Sequence, residues 1–173
     1  MQPGARGVGL QSGSPQSVRL NDQQIRASLP EPLMTSLNSK ARYDSDFDEL
    51  LGYDPIEPKA DEGRVMLVAG LAVLDAALVP APKEAILKAL ARVRLSVNPR
   101  NQDANDARYQ RAIYVDELSE FPLDVVVEAL RKLGRRDWFP NVGEARDQCQ
   151  HLVRWRRVTR EALAKAARSS NSR

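Results

Sequence analysis

The stretch Val65-Met66-Leu67-Val68-Ala69-Gly70-Leu71-Ala72-Val73-Leu74-Asp75-Ala76-Ala77-Leu78 carries one charge, Asp75, in fourteen residues. It is longer than the usual strand of about 5–6 residues. Its leucines and alanines are among the best helix formers. A helix that is apolar on every side belongs in the middle of a soluble core, so this segment is expected to be the central helix. It is too short for a bilayer, which needs about 20 apolar residues, and no membrane partner is expected. Val79-Pro80-Ala81-Pro82 ends the helix, and Pro82 suits the first position of the next one.

Downstream the helical period repeats. Ile86, Leu90, Val93 and Val97 step by four, three and four, which predicts a helix from about Pro82 to Val97. Asn98-Pro99 stops it. A third helix starts near Ala104, with Asp103 or Asn101 as its cap, and sets Ala107, Tyr114 and Leu118 on one face, widened by Ile113 and Val115. A fourth runs from Pro122 to Leu133, with Leu123, Val126, Val127, Leu130 and Leu133 as its stripe and Gly134 as its stop. The last begins at the capping box Asn141-Val142-Gly143-Glu144 and extends to about Ala167. Its inward arc is read as Ala145, Cys149, Leu152, Trp155 and Leu163. No run alternates with period two between hairpin turns. The expected fold is all-α, a small bundle of four to five helices over residues 63–168, with 169–173 frayed.

Residues 1–62 read differently. Met1 to Ser17 is rich in Gly, Pro, Ser and Gln and cannot bury enough surface to offset ordering entropy. Asn21 to Leu29 forms at most a short helix before Pro30 and Pro32. From Ala41 to Glu62 eight acids face two bases, a net charge of −6. The whole of 1–62 is expected to be a disordered acidic arm with transient helical turns. Within it, Phe47, Leu50 and Leu51, with Tyr53, have the spacing of a one-faced anchor that folds on a partner.

Composition excludes several chemistries. The 173 residues contain one Cys, Cys149, and one His, His151. An internal disulfide, a self-sufficient tetrahedral zinc site and a Ser-His-Asp triad are all out of reach. There is no Gly-x-x-x-x-Gly-Lys phosphate loop. Asp116 and Glu117 are adjacent on a helix, so their carboxylates diverge. No enzyme activity, metal or cofactor is expected. The N-terminus has no apolar signal region, and the expected compartment is the cytoplasm.

Charge carries the functional signal. From Arg131 to Arg173 twelve bases face four acids, a net charge of +8, against +3 for the whole chain. On the last helix Arg146, Arg154, Arg157 and Arg160 lie opposite the apolar arc. Guanidinium forks suit phosphates and carboxylates. The targets are therefore nucleic acid or an acidic partner, the chain's own acidic segment included. Arg135, Arg136 and Trp138 add an aromatic and two cations just before that helix, the side chains that stack on bases and dominate interfaces.

Between Val79 and Val153, Glu120-Phe121-Pro122 precedes a Val/Leu-rich helix, and Arg135-Arg136 precede Trp138-Phe139-Pro140, Glu144 and a helix bearing Cys149. This order resembles small helical proteins of phages and prophages, the non-ATPase replicative helicase loaders and loader/inhibitors. The resemblance implies a helical domain with a flexible arm that binds a hexameric replicative helicase, and the basic residues make DNA a second target. In that family the flexible arm is C-terminal, whereas here it is N-terminal, so no arm function carries over. Two other readings remain: a DNA-binding transcriptional regulator using the basic last helix, and a protein inhibitor of a host factor.

Overall fold

The computed structural model describes residues 18–46, 49–57, 60–96, 104–134 and 140–170. Seven helices and one hairpin are found among them: α1 (Val18–Ser28), α2 (Glu31–Lys40), β1 (Ala41–Tyr43), β2 (Leu50–Tyr53), α3 (Ala60–Ala77), α4 (Lys83–Ser96), α5 (Ala104–Leu118), α6 (Leu123–Leu133) and α7 (Val142–Ser170). The chain is mostly helical, as expected, but with more than five helices and a small antiparallel sheet. The leader 1–17, Phe47, Arg135, Arg136, Trp138 and the end 171–173 lie outside the described residues.

The largest departure is in the expected arm. Its described residues form two helices and a hairpin, and from Asn21 onward they are packed on the rest of the fold. Pro30 closes α1, and Pro32 sits in the first turn of α2, where its missing N–H costs nothing. Leu33 and Leu37, four apart, share one face of α2, and both are buried, as is Leu29 in the turn before it. They join Ile56, Leu67, Leu74, Leu163 and Ala166 in one apolar cluster. Removing residues 1–62 would therefore open a core rather than trim a tail.

The hairpin pairs Ala41 with Tyr53, Arg42 with Gly52 and Tyr43 with Leu50, with a register shift between Arg42 and Tyr43. A lone two-stranded ribbon is marginal in water. This one is fastened to α7: the Tyr53 hydroxyl lies 2.8 Å from the Thr159 hydroxyl, and the Arg154 Nε donates to the Leu50 carbonyl at 3.1 Å.

A second cluster is built from α4, α5, α6 and the first half of α7. Ile86, Leu90, Leu118, Phe121, Val125, Val126, Ala129, Leu130, Ala145, Cys149 and Val153 are among its buried members. α6 is buried on most of its surface and lies against α4 and α7. α7 starts with the reciprocal capping bonds its sequence announces. The Glu144 amide donates to the Asn141 Oδ1 at 2.9 Å, and the Asn141 amide donates to the Glu144 Oε2 at 3.1 Å. With 29 residues it is about 43 Å long at 1.5 Å per residue, and it walls both clusters.

α3 is a helix, but not a fully buried one. Leu67 and Leu74 face α7 and are buried, while Val65 and Val68 are 70% and 64% exposed. Gly70 marks the closest approach: a Cβ there would lie 2.6 Å from Leu33 Cδ2 and 3.1 Å from Leu163 Cδ1. α5 also departs from expectation, since Ile113 is 50% exposed rather than part of the core.

Candidate functional site

The basic arc of α7 is matched within the chain. Arg146 donates to the Glu120 Oε1 at 2.9 Å and lies 3.5 Å from the Glu117 carboxylate. Arg157 reaches the other Glu120 oxygen at 3.5 Å and stacks 5.0 Å from the Phe121 ring centroid. Arg160 donates to Asp75 at 2.5 Å. Arg154 donates to Glu49 at 2.8 Å, and His151 lies 3.7 Å from the same carboxylate. These pairs are part-exposed, so each contributes little to stability. Together they cancel the local field that would draw phosphates. One of the expected acidic targets, the chain's own acidic segment, supplies Glu49.

The anchor set read from Leu50, Leu51 and Tyr53 is not brought together. Those residues lie on a strand, where neighbours point to opposite faces. Leu50 is buried against α7, Leu51 is 51% exposed, and Tyr53 is half-buried. A spacing of three and four aligns residues only on a helix.

Unmatched cations lie elsewhere. Lys88, Arg92 and Arg94 on α4, Arg108 on α5 and Lys132 at the end of α6 have no ion pair or hydrogen bond among the described residues. All but Arg94 are exposed. α4 packs against α5 and α6. The end of α6 returns to the start of α7, where the Tyr114 hydroxyl of α5 donates to the Pro140 carbonyl. α5 also exposes Tyr109 (73%) and Ile113. The connecting stretches do not offset the charge: in sequence, Arg100, Arg135 and Arg136 stand against Asp103 and Asp137.

A different arginine was hidden inside the basic run. Arg156 is 1% exposed, at the meeting of four helices. Its Nε donates to Asp22 of α1 at 2.8 Å. Its terminal nitrogens donate to both Asp124 oxygens of α6, at 3.1 and 2.5 Å, and to the Ala77 carbonyl that ends α3, at 3.0 Å. Asn21 donates to Asp124 at 2.9 Å. Burial pushes the Asp22 carboxyl above its ordinary value, more than its Arg156 bond lowers it. Burial acts upward on Asp124 too, but the Arg156 and Asn21 bonds outweigh it and hold that carboxyl below its ordinary value. A cleft of about 420 Å³ opens beside this cluster, lined by Gln24 and Ile25 on α1, Val73 and Ala76 on α3, and Leu123. The wheel itself held the signal: Arg156 is seven residues from both Cys149 and Leu163, on the buried stripe.

The remaining reactive groups are occupied or quenched. Cys149 is buried and its thiol is pushed up to about 12 by desolvation. Asp116 pairs with Lys83 at 3.2 Å while Glu117 faces Arg146, so the two carboxylates diverge. No group of three potential metal ligands occurs among the described residues, and no described helix is long and apolar enough to cross a membrane. No family model matches the chain, and no curated protein or solved structure is significantly similar to it.

Proposed function

We propose that the protein is a non-enzymatic accessory factor that binds DNA through the α4–α5 side, in a replication role of the phage or prophage helicase-loader kind. The observation that carries the DNA contact is the unmatched set Lys88, Arg92, Arg94, Arg108 and Lys132. Cations without carboxylate partners release counterions from DNA at no cost in broken internal pairs. Tyr109 of α5 adds an exposed ring, suited to stacking on an unpaired base. A replicative helicase as protein partner rests on the resemblance over residues 79–153, which fall on α4–α7. The matched arc of α7 favours neither a regulator that reads DNA with that helix nor an acidic partner seated on it.

Fluorescence anisotropy with labelled single-stranded and duplex DNA tests this. Five phosphate contacts give log K a slope of about −4.5 against log salt on duplex. The triple variant Lys88→Glu, Arg92→Glu, Arg108→Glu should lose binding at 100 mM salt. Arg154→Ala, Arg157→Ala, Arg160→Ala should bind like wild type. If the first variant binds unchanged, or the second loses binding, the α4–α5 side is not the DNA surface.

A further inference from the structure

α4 and α5 turn apolar side chains outward that the core does not use. Tyr109 and Ile113 of α5 are 73% and 50% exposed, and Leu87 of α4 is 41% exposed. On α5, Tyr109, Ile113 and Asp116 follow at steps of four and three, so they share one face. On α4, Lys83 and Leu87, four apart, share a face in the same way. The Lys83 Nζ donates to the Asp116 Oδ1 at 3.2 Å and ties these two faces together. Lys83 opens α4, Asp116 stands in the last turn of α5, and the two helices pack on each other, so they run antiparallel.

That bridge sets the register of the pair. At 1.5 Å per residue, Leu87 lies about 6 Å from it along α4, and Tyr109 about 10.5 Å from it along α5 in the same direction. Lys88, Arg108, Arg92 and Arg94 lie about 7.5, 12, 13.5 and 16.5 Å along. The ring and the four cations therefore share one stretch of the helix pair. The acids collect at the other end. Glu84, Asp116 and Glu117 lie within about 1.5 Å of the bridge along the axes, and Lys83 and Arg146 match the last two.

A duplex has little use for such a strip. It turns its phosphates outward and hides the faces of its bases in the stack, so cations alone serve it. A single strand offers phosphates and open base faces together, and a cationic track with an exposed aromatic ring is the surface that holds it. Stacking on a ring tolerates every base, so the contact is blind to sequence. Resting on the reading of this side as a DNA surface, we infer that the α4–α5 strip takes single-stranded DNA in preference to duplex. Phosphates follow Lys88, Arg92, Arg94 and Arg108, one base stacks on Tyr109, and Leu87 and Ile113 form the apolar borders.

Fluorescence anisotropy of the full chain at one salt concentration, with probes of equal length, tests this. The probes are oligo(dT), a duplex, and a strand in which every base is replaced by an abasic site. Oligo(dT) should bind at least about tenfold more tightly than either of the others, the scale of one base stacked on one ring. Tyr109→Ala should weaken oligo(dT) binding by about the same factor. It should leave duplex affinity and the thermal midpoint unchanged, because the ring is exposed. Tyr109→Phe, which keeps the ring, should bind like wild type. Equal affinity for oligo(dT) and duplex, an abasic strand held as tightly as oligo(dT), or full binding by Tyr109→Ala overturns the inference. If Lys88→Glu, Arg92→Glu, Arg108→Glu still releases the probes in those cases, the DNA surface stands without its strand preference. Binding to none of the probes removes both.

Discussion

Arg156→Ala is the perturbation that most directly tests how the four helices meet. The guanidinium donates to two carboxylates and one helix-terminal carbonyl from a site with almost no solvent contact. Its removal leaves Asp22 and Asp124 close together without a cation and the Ala77 carbonyl without its donor. Removing one member of a buried ion cluster costs about 3–5 kcal/mol. That is a large share of the 5–15 kcal/mol that holds a typical domain. Urea unfolding followed by circular dichroism at pH 7 should show that loss. The control is the triple change Arg156→Leu, Asp22→Asn, Asp124→Asn. Replacing all the charges of a buried cluster is often near neutral, so much of the loss should return. The pH dependence follows from the two carboxyl shifts. Asp124 is held below its ordinary value, so its contribution is present above the unfolded pKa and is lost as pH falls through the folded one. Asp22 is raised, so its contribution is present below the unfolded pKa and is lost as pH rises through the folded one. The two oppose each other, and Asp22→Asn should make the acid destabilisation of the fold steeper. A change under about 0.5 kcal/mol for Arg156→Ala, or a triple variant no more stable than the single one, would refute the reasoning.

Two further outcomes are expected. Gly70→Ala should destabilise by about 1–3 kcal/mol, as overpacking does, although alanine is the better helix former by about 1 kcal/mol; a raised melting temperature would show that Leu33 and Leu163 can yield. The Cys149 thiol, buried and pushed up to about 12, should resist a disulfide reagent at pH 8 in the native protein and react at once in denaturant, and rapid native labelling would place it at the surface.

Helices α4, α6 and α7 were legible because each carries a long one-faced stripe with a stop or a cap. The capping box at Asn141 and Glu144 needed only two residues in the right places. The N-terminal third was not legible, because its charge and its prolines masked three leucines at steps of four. Pro30 does end α1, but Pro32, also read as a break, sits in the first turn of α2, where a helix tolerates proline. The hairpin strands, of three and four residues, are too short to display alternation. Burial of α3 was over-read, since apolarity on every side does not say which side is covered. In the site, counting arginines merged one core residue, Arg156, with its surface neighbours. Counting charge also hid that Glu49, Asp75, Glu117 and Glu120, scattered in sequence, converge on α7.

The long span of α7 has a consequence for synthesis. Ribosomes deliver the chain from its N-terminus, and domains commonly fold as they emerge. Here neither core can close early. The cluster around Leu33 and Leu74 waits for Leu163 and Ala166, and the cluster around Leu118 and Val126 waits for Cys149 and Val153. Everything before α7 leaves the ribosome as two open-sided halves with their leucines bare. The same helix then closes both, so the two clusters are expected to form together rather than in turn.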